Sequence, residues 1–393
     1  MRIFVSTGEV SGDLQGAMLV ESLYRYGQSS GLPLEIVGLG GQKMKKAGAN
    51  LIADTTAIGS VGLLESLPFI IPTWQIQRQA KKYLKLNSPD LVILIDYLGP
   101  NLTIATFLKE KFPHIPIIWY IAPQFWVWTP MEQNVTQLVN VTDKVLAIFP
   151  EEANFYQGKG VSSTYVGHPL VERIKNAPPR EEIRTKLGIK EDESCIALFP
   201  ASRKQELKYL LPVMIEAAQE IQNKLPKARF VLPISLAQYR PQIEALINQS
   251  TLKVTFFEGD TLNLLPALDL AITKSGTVNL ELALLKIPQV VLYKVNPFTI
   301  WVGRTFFNLS IPFISPTNLV LMEQIVPELL QEEATAGNIV QYSLEFLLND
   351  DYLQKTQANY TRMIDVLNQG SGSASDNATQ EIFNFYQTQF MKD

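Results

Sequence analysis

Short β-rich runs alternate with longer stretches of helical periodicity along most of the chain, and few folds accommodate that alternation. Parallel strands need long crossovers between them, so the pattern predicts parallel sheets wound with helices. In the first half, strands read at 2–6, 34–38, 91–95, 117–121, 144–148 and 163–166, with helices at 13–26, 73–86 and 102–111. A charged, proline-containing stretch follows Gly167-His168-Pro169, and then the cycle restarts. Strands read at 195–200, 230–233, 254–258, 270–273 and 289–293, with helices at 207–225 and 279–285. The expected organisation is α/β: two Rossmann-like doubly wound domains, 1–172 and 194–336, joined by a linker at 173–193 and facing a central cleft. A helical segment, 337–393, follows. Its Gly370-Ser371-Gly372-Ser373 joint lets the distal helix pack back on the first domain or on another chain, which leaves a homodimer open.

Composition removes several function classes. At 393 residues, 46% apolar and 18% charged, the chain has the make-up of a large buried core, not of a disordered segment. Thirty-four basic against 38 acidic residues leave a net charge of −4, so no diffuse positive field favours nucleic acid. The single cysteine, Cys195, precludes an internal disulfide and a cysteine-based zinc site, and two histidines cannot build a histidine-rich metal centre. No metal and no cofactor are expected. The first residues run straight into a strand without the features of a secretory signal, which points to the cytosol. The uncharged stretches 114–131 and 305–322 are broken by prolines and read as buried strands and loops, not as membrane spans.

In wound parallel sheets ligands bind beyond the carboxyl ends of the strands, so the turns there carry the candidate chemistry. Ser6-Thr7-Gly8-Glu9-Val10-Ser11-Gly12-Asp13 runs from a strand into a helix N-terminus and suits an anionic or polyhydroxylated ligand; a helix capped by Ser11 or Asp13 is the other reading. Its spacing is not G-x-G-x-x-G, which disfavours a dinucleotide oxidoreductase. Asp96 ends the apolar run Leu91 to Ile95, where a carboxylate serves as a general base or holds the next loop. Arg203 follows another strand, and its planar fork either chelates phosphate or forms a surface ion pair. In Thr273-Lys274-Ser275-Gly276-Thr277-Val278-Asn279-Leu280-Glu281, the small residues Ser275, Gly276 and Thr277 allow a nucleotide diphosphate to approach a helix start. Glu281, one turn on, is placed to accept bonds from sugar hydroxyls, although any α/β turn shares this form. His168 reads as structural or ligand-positioning. The stretch Val61 to Trp74 is more apolar than one buried helix face needs, and Lys81, Lys82 and Lys85 follow; Phe69 and Trp74 are either interfacial anchors or core.

Taken together, nine blocks in this order resemble lipid-A-disaccharide synthase, a family of inverting glycosyltransferases with the GT-B arrangement. They are STGEVSGD at 6–13, GGQKM at 40–44, SVGLLESL at 60–67, LIDYLGPN at 94–101, YIAPQFWVW at 120–128, VGHPL at 166–170, FPASRKQE at 199–206, SGTVNLE at 275–281 and PTNLVLMEQIVPELLQEE at 316–333. The resemblance implies transfer of 2,3-diacylglucosamine from its UDP derivative to 2,3-diacylglucosamine 1-phosphate, giving a β(1→6) disaccharide and UDP. It implies that Asp96 is the base, alone or in a relay with Glu9, and that Arg203, Ser275, Gly276, Thr277, Glu281 and Asn318 bind the nucleotide sugar. Ser11, Phe69 and Trp74 then face the acceptor or the membrane, and the enzyme is peripheral on the cytosolic face of the inner membrane. No Asp-x-Asp motif is present to hold a metal at the diphosphate. The chain departs from the family pattern at Leu98, where a second Asp is frequent, at Thr129 in place of an arginine, at Ala201 in place of a glycine, and at Glu323 in place of a basic residue. Another UDP-sugar transferase or epimerase of the same architecture, or a noncatalytic lipid- or nucleotide-binding relative, is the alternative.

Overall fold

The computed structural model describes residues 1–56, 69–129, 131–200, 204–234, 237–296, 311–368 and 372–390. It divides into two compact units, one built from Met1–Pro169 and Asn368–Asp393, the other from Leu170–Val302 and Ile311–Leu367.

The first unit runs β1 (Arg2–Ser6), α1 (Val10–Ser29), β2 (Glu35–Gly40), α2 (Gln42–Lys46), β3 (Asn50–Asp54), α3 (Ile70–Leu86), β4 (Leu91–Ile95), α4 (Leu98–Lys111), β5 (Ile117–Tyr120), α5 (Glu132–Val141), β6 (Lys144–Ala147), α6 (Pro150–Gly158) and β7 (Ser162–Tyr165). Its seven strands form one sheet in the order β3-β2-β1-β4-β5-β6-β7. Every pairing is parallel, with Ser6 beside Leu94 and Ile95 beside Tyr120. β4 is buried along its whole length, as a strand covered on both faces must be. The apolar sides of α3, α4, α5 and α6 pack over β4, β5 and β6 around Trp119, Leu84, Leu108 and Tyr156.

The second unit contains α7 (Pro169–Arg173), α8 (Arg180–Leu187), β8 (Ser194–Phe199), α9 (Lys204–Lys224), β9 (Ala228–Pro233), α10 (Arg240–Ile247), β10 (Val254–Phe257), β11 (Leu270–Lys274), α11 (Thr277–Leu284), β12 (Gln289–Tyr293), α12 (Pro316–Leu321), β13 (Glu328–Leu330), α13 (Ala336–Leu348) and α14 (Asp350–Leu367). Its sheet order, β10-β9-β8-β11-β12-β13, repeats the winding of the first. Cys195 is buried in β8, and burial pushes its thiol up to about 12, the chemistry of an inert core residue.

A last helix, α15 (Ala374–Phe390), belongs to the first unit and packs on α1. Phe383 stacks on Tyr26 with ring centroids 4.2 Å apart, Asp376 accepts from Ser22 at 2.5 Å, and Lys144 meets Glu381 at 2.5 Å. Among the described residues no helix is long and apolar enough to cross a membrane.

Candidate active site

In each sheet the strand order reverses between the first strand and its later neighbour, β1/β4 in one unit and β8/β11 in the other. A crevice at such a reversal is where wound sheets bind ligands. Glu9 and Asp96 both follow strands at the first reversal, and Ser275 to Glu281 follow β11 at the second.

At the first reversal the backbone is forced into unusual shapes. Asp96 has φ 45° and Tyr97 φ 50°, in the left-handed region that non-glycine residues seldom occupy. Asn101, buried in the first turns of α4, holds them there. Its Nδ2 donates to the Asp96 carbonyl at 2.8 Å and to the Ile95 carbonyl at 3.1 Å, while its Oδ1 accepts from the Ser6 hydroxyl at 2.7 Å. The ends of β1 and β4 are thereby tied together. Gly8 packs so closely on the Tyr97 ring that any Cβ there would collide with it. Burial raises the Tyr97 pKa, its hydrogen bond with Thr73 works the other way, and the charge of Glu9 adds to the rise, so Glu9, Tyr97 and Thr73 share one neighbourhood. Ser11 is part-buried inside α1 and is not its cap. Asp13 caps the neighbouring helix instead: its carboxylate accepts from the N–H groups of Gly41, Lys43 and Met44 at 2.7–3.0 Å at the start of α2.

Tyr97 also lines a groove of about 1010 Å³ between α3 and α4. Phe69, Ile70, Trp74 and Phe107 supply its apolar surface, and Arg78, Lys81, Lys82, Lys85 and Lys111 its charge; among the described residues no carboxylate lines it. Trp74 is 59% exposed and Ile71, just outside, 66%. The groove is graded along its length. Thr73 and Tyr97 mark one end, whereas Lys81 and Lys85 lie over the Phe107 ring at 5.4 and 5.8 Å, roughly 15 Å further along α4 at 1.5 Å per residue. The block 60–67 lies outside the described residues, as does Arg203.

At the second reversal, the buried Asn279 organises the turn. Its Oδ1 accepts the Gly276 N–H at 2.6 Å, and its Nδ2 donates to the Lys274 carbonyl at 3.2 Å and to Gln289 at 2.9 Å. The Ser275 N–H donates to the Leu292 carbonyl at 3.0 Å, and its hydroxyl to the Ile314 carbonyl at 2.8 Å. Of the three N–H groups expected to face a diphosphate, those of Ser275 and Gly276 are therefore engaged; those of Thr277 and Val278 have no acceptor among the described residues. Lys274, which sequence reasoning passed over, brings its Nζ against Gly276 and lies 3.5 Å from Glu206.

Glu281 is buried and accepts from the Arg173 Nε at 2.7 Å. Arg173 also pairs with Asp260; burial opposes its charge, but the two carboxylates outweigh that and raise its pKa. Asn318 faces inward in α12, donating to Glu328 at 2.7 Å and accepting from the Ile325 and Val326 N–H groups, so it shapes the segment that leads to β13. Glu323 forms an exposed pair with Arg362 at 2.9 Å. Thr129 donates to the Phe125 carbonyl at 2.8 Å, and Leu98 opens α4. Among the described residues no group of three or more His, Cys, Asp or Glu is placed to hold a metal ion.

A family model described as Lipid-A-disaccharide synthetase matches residues 3–383. The chain belongs to the lipid-A-disaccharide synthase family. It is 54% identical over 385 residues to the lipid-A-disaccharide synthase of Gloeothece citriformis, covering 98% of this chain and 100% of the relative. It is also 54% identical to the enzyme of that name from a Synechocystis species, covering 98% of each. Among solved structures, UDP-GlcNAc 2-epimerase from Neisseria meningitidis, bound to UDP-GlcNAc, superposes with a TM-score of 0.65 at 14% identity, covering 99% of this chain and 100% of that one. That likeness is one of fold and identifies the architecture as GT-B. The member of this family described here is a glycosyltransferase that forms the lipid A disaccharide.

Proposed function

We propose that Asp96 is the general base of this transfer and that the α3–α4 groove receives the acyl chains of the acceptor. The observation that carries the reading is Tyr97: it follows Asp96 directly and lines the groove, so an acylated sugar lying there has its ring end beside the carboxylate. The donor carries an α-linked diphosphate and the product is β-linked, so the acceptor 6-hydroxyl attacks C1 in line from the face opposite the diphosphate. Asp96 takes the hydroxyl proton as the C–O bond forms, with Glu9 as a second carboxylate at the same reversal. The C1–O bond to the diphosphate breaks and UDP leaves with the electron pair. Lys274 and the Thr277 and Val278 N–H groups stabilise that charge at the start of α11, and Arg203 takes part by the sequence resemblance alone. The Glu281–Arg173 pair and Asn318 hold the frame of the nucleotide site.

The cations at the far end of the groove are too distant from Asp96 to read a phosphate on the same sugar ring. They suit anionic head groups, with Phe69, Ile70 and Trp74 dipping into the acyl boundary, which supports a peripheral enzyme, on the cytosolic face of the inner membrane by the sequence resemblance. A homodimer formed by exchange of α15 would remake the α1 contacts between chains. The deciding experiment incubates purified protein with the two acylated sugars and follows the lipid fraction by mass spectrometry. Disaccharide and UDP are the expected products; UDP binding without either would make the protein a noncatalytic binder. Phe69→Ser with Trp74→Ser should leave thermal stability nearly unchanged, lower sedimentation with anionic vesicles, and reduce activity chiefly on membrane-presented acceptor. A large loss of stability with unchanged vesicle binding would place both residues in the core.

A further inference from the structure

Glu152 is 1% exposed at the third position of α6, on a helix with no candidate residue from the sequence blocks. An acidic residue there ordinarily caps its own helix. This one reaches further: Oε2 accepts from the Ile148 and Phe149 N–H groups at 2.9 and 3.3 Å, and Oε1 accepts from the Ala122 N–H at 2.8 Å. Ala122 lies beyond the end of β5, and the peptide unit it shares with Ile121 has its carbonyl on the other side. That Ile121 carbonyl accepts the Asp96 N–H at 2.9 Å. One peptide unit therefore joins the buried carboxyl of Glu152 to the backbone of Asp96.

Ile121 is a β-branched residue at φ 59°, a conformation worth roughly 1–3 kcal/mol of strain that persists only where the surroundings enforce it. Here they do, since its N–H donates to the Leu146 carbonyl at 3.2 Å while its peptide with Ala122 is gripped at both ends. Tyr156, one turn along α6, donates its hydroxyl to the Pro123 carbonyl at 2.8 Å and fixes the next stretch of the same loop. Burial raises the pKa values of Glu152 and Tyr156, and the charge of Asp96 adds to both, which places the Asp96 carboxylate near this cluster.

We propose that Glu152 is a positioning residue for Asp96, aiming the base through the Ile121–Ala122 peptide. The inference rests on the reading of Asp96 as the base. Above about pH 8, where the Glu152 carboxyl is ionised, Glu152→Gln keeps the shape but turns one acceptor oxygen into a donor. Two N–H groups converge on Oε2 and one on Oε1, so the amide nitrogen settles against Ala122, on the peptide that leads to Asp96. Misplacement of a base by a fraction of an ångström is worth on the order of tenfold or more in turnover.

The test is a double-mutant cycle on kcat above about pH 8, where Glu152 is ionised, with UDP affinity measured alongside. Glu152→Gln should lower kcat about tenfold in the wild-type background, leave UDP affinity unchanged, and cause little further loss when Asp96 is already Asn. Equal losses in the two backgrounds would make the contact structural and overturn the assignment, as would a wild-type kcat for Glu152→Gln. Near wild-type turnover of Asp96→Asn alone would instead sink the base reading, a distinct outcome. If Glu152→Gln does not fold, Tyr156→Phe removes only a hydroxyl from the same loop and is read in the same cycle. A smaller loss confined to the Asp96 background supports the proposal, and equal losses or none overturn it.

Discussion

Two buried asparagines occupy corresponding places in the two units, each in the opening turns of the helix that follows the reversal strand. Asn101 holds the loop after β4 by donating to the Ile95 and Asp96 carbonyls, and that loop is bent into the left-handed region at Asp96 and Tyr97. Asn279 holds the loop after β11 by accepting the Gly276 N–H as well as donating to the Lys274 carbonyl, and no residue from 273 to 279 is left-handed. The same scaffold device thus serves opposite ends. In the first unit it fixes the backbone of the loop that carries Asp96, at the cost of strain. In the second it ties back the Gly276 N–H and leaves those of Thr277 and Val278 at the helix start without an acceptor among the described residues.

The largest expected effect tests the frame of the second unit. Arg173→Met leaves Glu281 buried without its cation, which costs about 3–5 kcal/mol, and urea unfolding of the second unit should shift accordingly while the first holds. Asp96→Asn should lower turnover roughly 10²-fold with UDP affinity unchanged, measured where chemistry limits the rate. A pair of alanine variants addresses the comparison directly. Asn101→Ala and Asn279→Ala each orphan buried groups and should each lose about 1–3 kcal/mol of stability. The first should reduce kcat and the second UDP affinity; the same kinetic signature from both would erase the distinction.

A further expectation is a pH dependence confined to the first unit, comparable in size to the first effect. Burial lowers the His168 pKa from 6.5 to about 3, so the unfolded chain binds the extra proton between these values and stability is lost as pH falls through them. Burial raises the Glu152 pKa from 4.5 to about 8 against three backbone N–H donors, so its contribution is complete below 4.5 and is lost as pH rises to about 8. The two oppose each other between 4.5 and 6.5, leaving a broad maximum there. Each flank should slope by up to roughly 1.4 kcal/mol per pH unit, and Glu152→Gln should flatten the alkaline flank of the melting profile.

The sequence pattern revealed the central strands and the edges β7 and β10, and missed β3 and β13. Val-Thr-Phe-Phe in β10 is rich in β-branched and aromatic residues, whereas Asn-Leu-Ile-Ala-Asp in β3 is at most part-buried and polar at both ends. β13 spans three residues, so neither it nor β3 carries the continuous apolar run that marks a strand covered on two faces. Asp96 was visible because it punctuates such a run. Glu152 was not, because Phe149-Pro150-Glu151-Glu152 reads as an ordinary helix start, and its reach to Ala122, 30 residues away, exists only once β5 and β6 pair. Arg173 was hidden similarly, its partners lying 87 and 108 residues downstream. Ser11 and Asp13 show a local signal with a non-local outcome, since the turn does open a helix but the carboxylate caps a different one.

The return of α15 to the first unit also orders events during synthesis. The whole of the second unit is translated before residues 374–390, so it is able to fold on the ribosome while the face of α1 around Tyr26 still lacks its cover. Until those residues emerge, the first unit holds its sheet but not its last hydrophobic contact. A nascent chain stalled anywhere between 170 and 370 would therefore present that bare face to chaperones or to another nascent copy until α15 emerges to cover it.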